Sequence, residues 1–157
     1  MGPSAIRISI RGVVQGVGFR PFVYRLAERH CVRGWVINGE AGVEIHAEGA
    51  AGDVEEFVGG LRGSAPTAAR VEQFLIVETE PNGVAGFQIR DSRHNARPTV
   101  RVSPDLAVCA DCLLELNDPT DRRFEYPYIN CTNCGPRYSI VRGLPYDRSR
   151  TTMSDWP

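Results

Sequence analysis

Apolar and polar residues alternate from Ile6 to Arg11, with an isoleucine at every second position. A period of two is typical of a strand that buries one face. After a glycine-rich turn at 12–18, apolar residues recur at spacings of three and four, from Phe19 through Val23 to Leu26. That spacing predicts an amphipathic helix.

Two more strands are predicted after this helix. Residues 34–38 are rich in β-branched and aromatic side chains, and from Val43 to Glu48 apolar and polar residues again alternate. The glycine-containing segment 38–42 supplies the turn between these strands. The turn places Asn38 at the end of a strand.

A second helix is predicted from about residue 53, because Asp53 and Glu56 have the spacing of a capping box. Its apolar face is formed by Val54, Phe57, Val58 and Leu61. Further strands are predicted at about 69–77 and around 87–90.

The order strand, helix, strand, strand, helix, strand is that of the ferredoxin-like α+β fold, βαββαβ. In it both helices cover one face of an antiparallel sheet, and residues 1–91 are enough for a core of their own. From 92 to 103 the apolar pattern lapses, which we interpret as a linker. Residues 104–157 then form a second, smaller module.

Four cysteines characterise this second module. They stand as Cys109-Ala-Asp-Cys112 and, after eighteen residues, Cys131-Thr-Asn-Cys134. Two such pairs are typical of one structural zinc ion held by four thiolates. Two disulfides are the alternative, but no signal peptide is recognisable, which favours a reducing compartment and hence zinc. The predicted cofactor is one Zn²⁺ per chain, in a cytoplasmic protein.

Composition excludes several classes of function. The hydrophobic content is 42%, the charged content 24% and the net charge −1. No apolar run approaches the roughly 18 residues that a membrane span needs. A dedicated nucleic-acid binder would usually be more basic. All basic residues apart from histidine are arginines, so lysine chemistry is excluded.

The glycine-rich turn before the first helix is a candidate anion site. Backbone amides of such a turn, together with a helix N-terminus, can surround a phosphate. Arg20, at the exit of the turn, could bind phosphate oxygens or instead make a surface ion pair with an acid. Asn38 could belong to such a site or be a turn residue with local hydrogen bonds. The residues alone leave these alternatives open.

The run from Gly12 to Arg20, Gly-Val-Val-Gln-Gly-Val-Gly-Phe-Arg, and the later Gly-Trp-Val-Ile-Asn at 34–38 resemble the signature of the acylphosphatase family. The resemblance covers about residues 5–91. It implies that Arg20 supplies the counter-charge to a bound phosphate and that Asn38 orients the attacking water. The implied phosphate-binding loop comprises Gln15, Gly16, Val17, Gly18, Phe19 and Arg20.

The cysteine module extends the resemblance. Its cysteine pairs and the later run Leu144-Pro-Tyr-Asp-Arg148 are similar to the N-terminal part of the HypF family, the carbamoyltransferases of [NiFe]-hydrogenase maturation. This implies that the acyl phosphate is carbamoyl phosphate, hydrolysed to carbamate and phosphate. It also implies a HypE-type protein as partner of the full-length protein. Because that family has two successive finger modules, the chain is expected to be truncated after the first.

A function without catalysis is the alternative. Basic and aromatic residues interleave near the cysteines, as in modules that bind single-stranded nucleic acid. The residues concerned are Arg122, Arg123, Phe124, Tyr126, Tyr128, Arg137 and Tyr138. The aromatic residues could equally form the small core of a metal module, which the near-neutral charge favours. If the chain is an enzyme whose two modules have separate cores, metal removal is expected to leave acylphosphatase activity largely intact.

Overall fold

Alternation of apolar side chains produces a five-stranded sheet within residues 4–92 of the computed structural model. Its strands are β1 (Ser4–Val13), β2 (Arg33–Gly39), β3 (Gly42–Gly49), β4 (Arg70–Glu78) and β5 (Phe87–Ile89). Helix α1 (Phe19–Arg29) joins β1 to β2, and helix α2 (Ala51–Gly63) joins β3 to β4. The structure describes residues 4–92, 107–127, 129, 134, 140–152 and 154–155.

The strands lie in the order β4-β1-β3-β2-β5. The pairs β1–β3, β1–β4 and β2–β3 are antiparallel, whereas β5 runs parallel to β2 at the edge. The fold is therefore the predicted ferredoxin-like α+β arrangement. The short strand β5 is added to the sheet at one edge.

Both helices pack on the same face of this sheet. Isoleucines at alternate positions of β1 meet the predicted apolar stripes of α1 and α2, including Phe19, Val23 and Phe57. Burying a side chain of this size contributes about 1.5–3 kcal/mol to stability. The core between sheet and helices thus holds α1 in place, and the N-terminus of α1 directly follows the glycine-rich loop.

The predicted capping box at the start of α2 is wrong. The helix begins at Ala51, and its N-cap is Ala50, which makes no side-chain capping bond. Asp53 instead lies inside the first turn, where its negative charge is favourable near the positive end of the helix dipole.

The opposite face of β3 is also buried, which alternation alone did not predict. His46 and Glu48 are both fully buried. The His46 ring stacks on Trp35, with ring centroids 5.9 Å apart, and the loop containing Asn82 and Val84 donates backbone hydrogen bonds to Glu48.

The second module has a small core of its own among the described residues. Helix α3 (Ala110–Asn117) follows Cys109, whose sulfur accepts a hydrogen bond from the Cys112 amide. Cys112, Ile129 and Cys134 are buried together. Further along, a single 3₁₀ turn spans Arg148–Arg150. The predicted linker lies almost entirely outside the described residues.

Candidate active site

The loop between β1 and α1 turns sharply at two glycines. Gly16 and Gly18 have φ angles of 70° and 72°, in the left-handed region that glycine enters without steric cost. Gly18 is the N-cap of α1, which begins at Phe19. The first amides of a helix have no partner within the helix, so the loop lies next to backbone donors and to the positive end of the dipole of α1.

Gln15 fastens the loop to the neighbouring hairpin. Its side chain is buried, and its Nε2 donates to the carbonyl oxygens of Gly39 and Gly42, each at 2.7 Å. The loop is therefore held against the β2–β3 turn through a side chain for which sequence analysis predicted only a backbone role.

Strand register brings Asn38 to this loop. Ile10 of β1 and Asn38 of β2 both pair with Val43 of β3, from opposite sides. The carboxyl ends of β1 and β2 therefore lie at the same edge of the sheet. Asn38 is buried, and its Nδ2 donates to the Tyr146 carbonyl at 2.7 Å. Among the described residues its Oδ1 is buried without a hydrogen-bond partner.

Arg20 lies in the first turn of α1 and also contacts the second module. Its Nη1 forms an ion pair with Asp147 Oδ1 at 2.9 Å, and its Nη2 donates to the Tyr146 carbonyl at 3.1 Å. Arg20 thus makes an ion pair with an acid, as one alternative from the sequence predicted, but the pair is partly buried and not on the surface. This ion pair is compatible with phosphate binding by Arg20, because Arg20 lies beside the loop and Asn38.

Residues 146–147, which we call the docked segment, were missed as site residues. The Tyr146 amide donates to Gln15 Oε1 at 2.9 Å, and the tyrosine ring lies so close to Gly16 that an added Cβ would meet it at 3.4 Å. The signal available in the sequence was the run from Leu144 to Arg148. It formed part of the family resemblance but had no predicted role.

An open cavity of about 600 Å³ borders the site. Its lining comprises Arg20, Pro21, Ile89, Asp91, Asp147, Arg148 and Ser149. Arg20 therefore has the docked segment on one side and accessible space on another.

Three of the four predicted metal ligands come together. The sulfur atoms of Cys109, Cys112 and Cys134 lie within 4.8 Å of one another and could bind a metal ion. Cys112 Sγ and Cys134 Sγ are 3.7 Å apart, well beyond the roughly 2.05 Å of a disulfide bond. Cys131, the fourth predicted ligand, lies outside the described residues.

Two family models match separate parts of the chain. A family model for acylphosphatase matches residues 6–89, which is more than half of the chain. The chain belongs to the acylphosphatase family. A second model, for the HypF finger, matches residues 108–141, so a HypF finger follows the acylphosphatase domain.

Individual relatives cover one or both parts. Acylphosphatase of Thermotoga maritima is 40% identical over 87 residues, which are 55% of this chain and 96% of that protein. Carbamoyltransferase HypF2 of Cupriavidus necator is 48% identical over 156 residues, 97% of this chain. HypF of Rhizobium leguminosarum is 46% identical over 149 residues. The chain spans 19% of the length of each of these two HypF proteins.

Solved structures likewise match either nearly the whole chain or only part of it. The crystal structure of full-length HypF in its phosphate- and nucleotide-bound form matches 99% of this chain and 21% of its own, with a TM-score of 0.90 and 43% identity. Acylphosphatase from Bacillus subtilis matches 57% of this chain and 99% of its own, with a TM-score of 0.52 and 34% identity. In the described part of the acylphosphatase–finger chain, no helix has the length and apolar character needed to cross a membrane.

Proposed function

We propose that the acylphosphatase domain hydrolyses an acyl phosphate, with carbamoyl phosphate as the substrate, giving carbamate and inorganic phosphate. The observation that carries this proposal is the convergence of Arg20 and Asn38. Both donate to the Tyr146 carbonyl, at 3.1 and 2.7 Å, so their donor nitrogens lie within about 6 Å of each other beside the glycine loop. The names of the HypF relatives, which are carbamoyltransferases, support the choice of carbamoyl phosphate.

The loop and Arg20 would bind the phosphoryl group from two sides. Amides of the loop from Gln15 to Arg20 and the N-terminus of α1 supply donors on one side. The Arg20 guanidinium supplies fixed positive charge where the equatorial oxygens become more negative in the transition state. Because these groups are held in place before the substrate binds, they need not reorganise during the reaction.

Asn38 would orient the attacking water. Its Oδ1 is a buried acceptor without a partner among the described residues, and buried polar groups are usually hydrogen-bonded to protein or to ordered water. As the water oxygen bonds to phosphorus, the bond from phosphorus to the acyl oxygen breaks. The electron pair of that bond leaves on the carboxylate of the product, and the water protons pass to phosphate and solvent. Because a carboxylate leaves readily, no protein nucleophile is required.

The cysteine cluster fits a structural zinc ion. Tetrahedral coordination with Zn–S bonds of about 2.3 Å separates the sulfur atoms by about 3.8 Å, and Cys112 and Cys134 show 3.7 Å. Cys109, Cys112, Cys131 and Cys134 would hold one ion per chain. Its contribution would be to stabilise the finger, since four protein ligands leave no position for substrate.

On this proposal the hydrolysis is the first step of carbamoyl transfer in [NiFe]-hydrogenase maturation. A cytoplasmic, full-length HypF-type protein would deliver the group to a HypE-type partner, without binding nucleic acid or a membrane. We also propose the division into an acylphosphatase domain at 1–91, a linker at 92–103 and a finger module at 104–157.

The test is phosphate release from carbamoyl phosphate and acetyl phosphate. Arg20→Ala should lower kcat/KM by about 10²–10³-fold, because it removes a preorganised charge. Asn38→Ala should lower kcat with a much smaller effect on inhibition by phosphate. Arg29→Ala, at the exposed other end of α1, is the matched control and should behave as wild type. Wild-type activity in Arg20→Ala would refute the proposed role of the loop.

A further inference from the structure

The backbone of Tyr146 makes contacts with three predicted site residues. Its amide donates to Gln15, and its carbonyl accepts from both Arg20 and Asn38. These contacts span sequence separations of 108 to 131 residues. One peptide segment from the finger side of the chain therefore joins the loop, the arginine and the asparagine.

The Tyr146 carbonyl determines which way the Asn38 amide faces. A carbonyl oxygen only accepts hydrogen bonds, so the Asn38 group that contacts it must be the Nδ2 donor. The Oδ1 then faces the other way, where it is buried without a partner among the described residues. Without the Tyr146 carbonyl, the amide could rotate and present a donor where the proposed mechanism needs an acceptor for the water.

Asp147 acts in a similar way on Arg20. The ion pair at 2.9 Å holds Nη1, and the side chains of Arg20 and Asp147 are 18% and 20% exposed, so the pair is partly shielded from water. A guanidinium has five N–H donors, and the docked segment uses one from each Nη nitrogen. Arg20 also lines the open cavity, so the docked segment orients the guanidinium and leaves donors for an anion.

We propose that Tyr146 and Asp147 are positioning residues of the acylphosphatase site, so that the site is assembled from both parts of the chain. This inference rests on the proposed function. Residues 146–147 set the amide orientation of Asn38 through a backbone carbonyl and the guanidinium orientation of Arg20 through a carboxylate. The Thermotoga acylphosphatase aligns over 96% of its length with 87 residues, and so has no room for a counterpart of the docked segment.

The negative charge of the docked segment distinguishes a positioning role from simple blocking of the site. A blocking segment would compete with the substrate for Arg20, and its removal would raise kcat/KM. A positioning segment restricts the motion of Arg20 while its negative charge slightly disfavours anion binding. Its removal should therefore lower kcat without raising KM or the inhibition constant of phosphate.

The test compares Asp147→Ala and Asp147→Asn with wild type in the full 157-residue chain. Asp147→Ala is expected to lower kcat for carbamoyl phosphate about tenfold, with KM and the inhibition constant of inorganic phosphate unchanged or lower. Asp147→Asn should recover part of the loss, because its amide oxygen can still accept from Arg20.

Glu115→Ala is the matched control. The pair Arg123–Glu115 has the same 2.9 Å distance and side-chain exposures of 27% and 26%, but lies in the finger and not beside the loop. Circular dichroism and thermal unfolding of all variants measure folding separately. Unchanged or higher kcat in Asp147→Ala, or a loss matched by Glu115→Ala, would overturn the inference while the proposed function stands. Absence of phosphate release from the wild type would overturn both.

Discussion

Glu48 is a carboxylate held in a buried position on the side of the sheet away from the helices. Burial by itself raises the pKa of Glu48, but the amides of Asn82 and Val84 and the neighbouring His46 outweigh burial, so the pKa is lowered from its usual value. The two amides donate at 2.6 Å. A single side chain thus ties the loop at 82–84 to β3.

The lowered pKa of Glu48 makes stability depend on pH in a defined direction. The stabilisation is complete above the unfolded pKa of about 4.3 and is lost as pH falls through the lower folded pKa. Glu48→Gln should lower the free energy of unfolding by about 1–3 kcal/mol near neutral pH, because the buried donors lose a charged acceptor. Urea unfolding from pH 3 to pH 7 measures this, and the variant should show a shallower decline on the acid side. An identical acid slope in both proteins would contradict this account of Glu48.

At the scale of elements, α2 contains two adjacent glycines with different surroundings. Gly59 is exposed, and an added Cβ would meet nothing within 4 Å. At Gly60 the Cβ would lie 2.7 Å from Leu26 Cδ1, in a part of α1 that is buried. Gly60 therefore allows close approach of the two helices, whereas Gly59 has no such role.

Alanine substitution should separate these two glycines. Gly59→Ala is expected to raise the free energy of unfolding by about 0.8–1 kcal/mol, because alanine is the better helix former. Gly60→Ala should gain less or lose stability, since Leu26 must move within a packed core. Thermal unfolding of the two variants provides the comparison. Equal stabilisation by both would show that the contact between α1 and α2 is looser than the structure indicates.

At the scale of the whole molecule, the docked segment follows the cysteine cluster in the chain and contacts the acylphosphatase site. The finger core has few apolar residues among those described, so a bound metal should be needed to keep it folded. The expectation from separate cores was that metal removal would spare activity. Because residues 146–147 contact Arg20 and Asn38, we expect instead that unfolding of the finger disturbs the site and lowers activity.

We therefore expect chelation to remove one zinc ion per chain and to lower kcat toward the value of Asp147→Ala. The circular dichroism signal of α1 and α2 should be largely retained, since their core is separate. Cys112→Ser should have the same effect without a chelator. The test is to measure zinc content, kcat and circular dichroism on one preparation. A metal-free chain with full kcat would show that the docked segment holds its position without the finger.

Local patterns were enough to predict the order of the elements. Alternation in β1 and β3 and the spacing of apolar residues in α1 depend on the geometry of single strands and helices, so they are visible in the sequence. The glycine loop and the cysteine spacing were equally local. The start of α2 was missed because the capping box is a short pattern, and the helix extends to Ala51 beyond it.

The sequence by itself determined the fold class, the family resemblance and the types of residue available for chemistry. It did not decide whether Arg20 binds phosphate or makes an ion pair. It also did not decide whether Asn38 is a site residue or a turn residue. Only the tertiary structure brought both to the Tyr146 carbonyl, across sequence separations of 126 and 108 residues. Such contacts depend on how distant elements pack, and no short pattern around residue 146 or residue 20 contains that information.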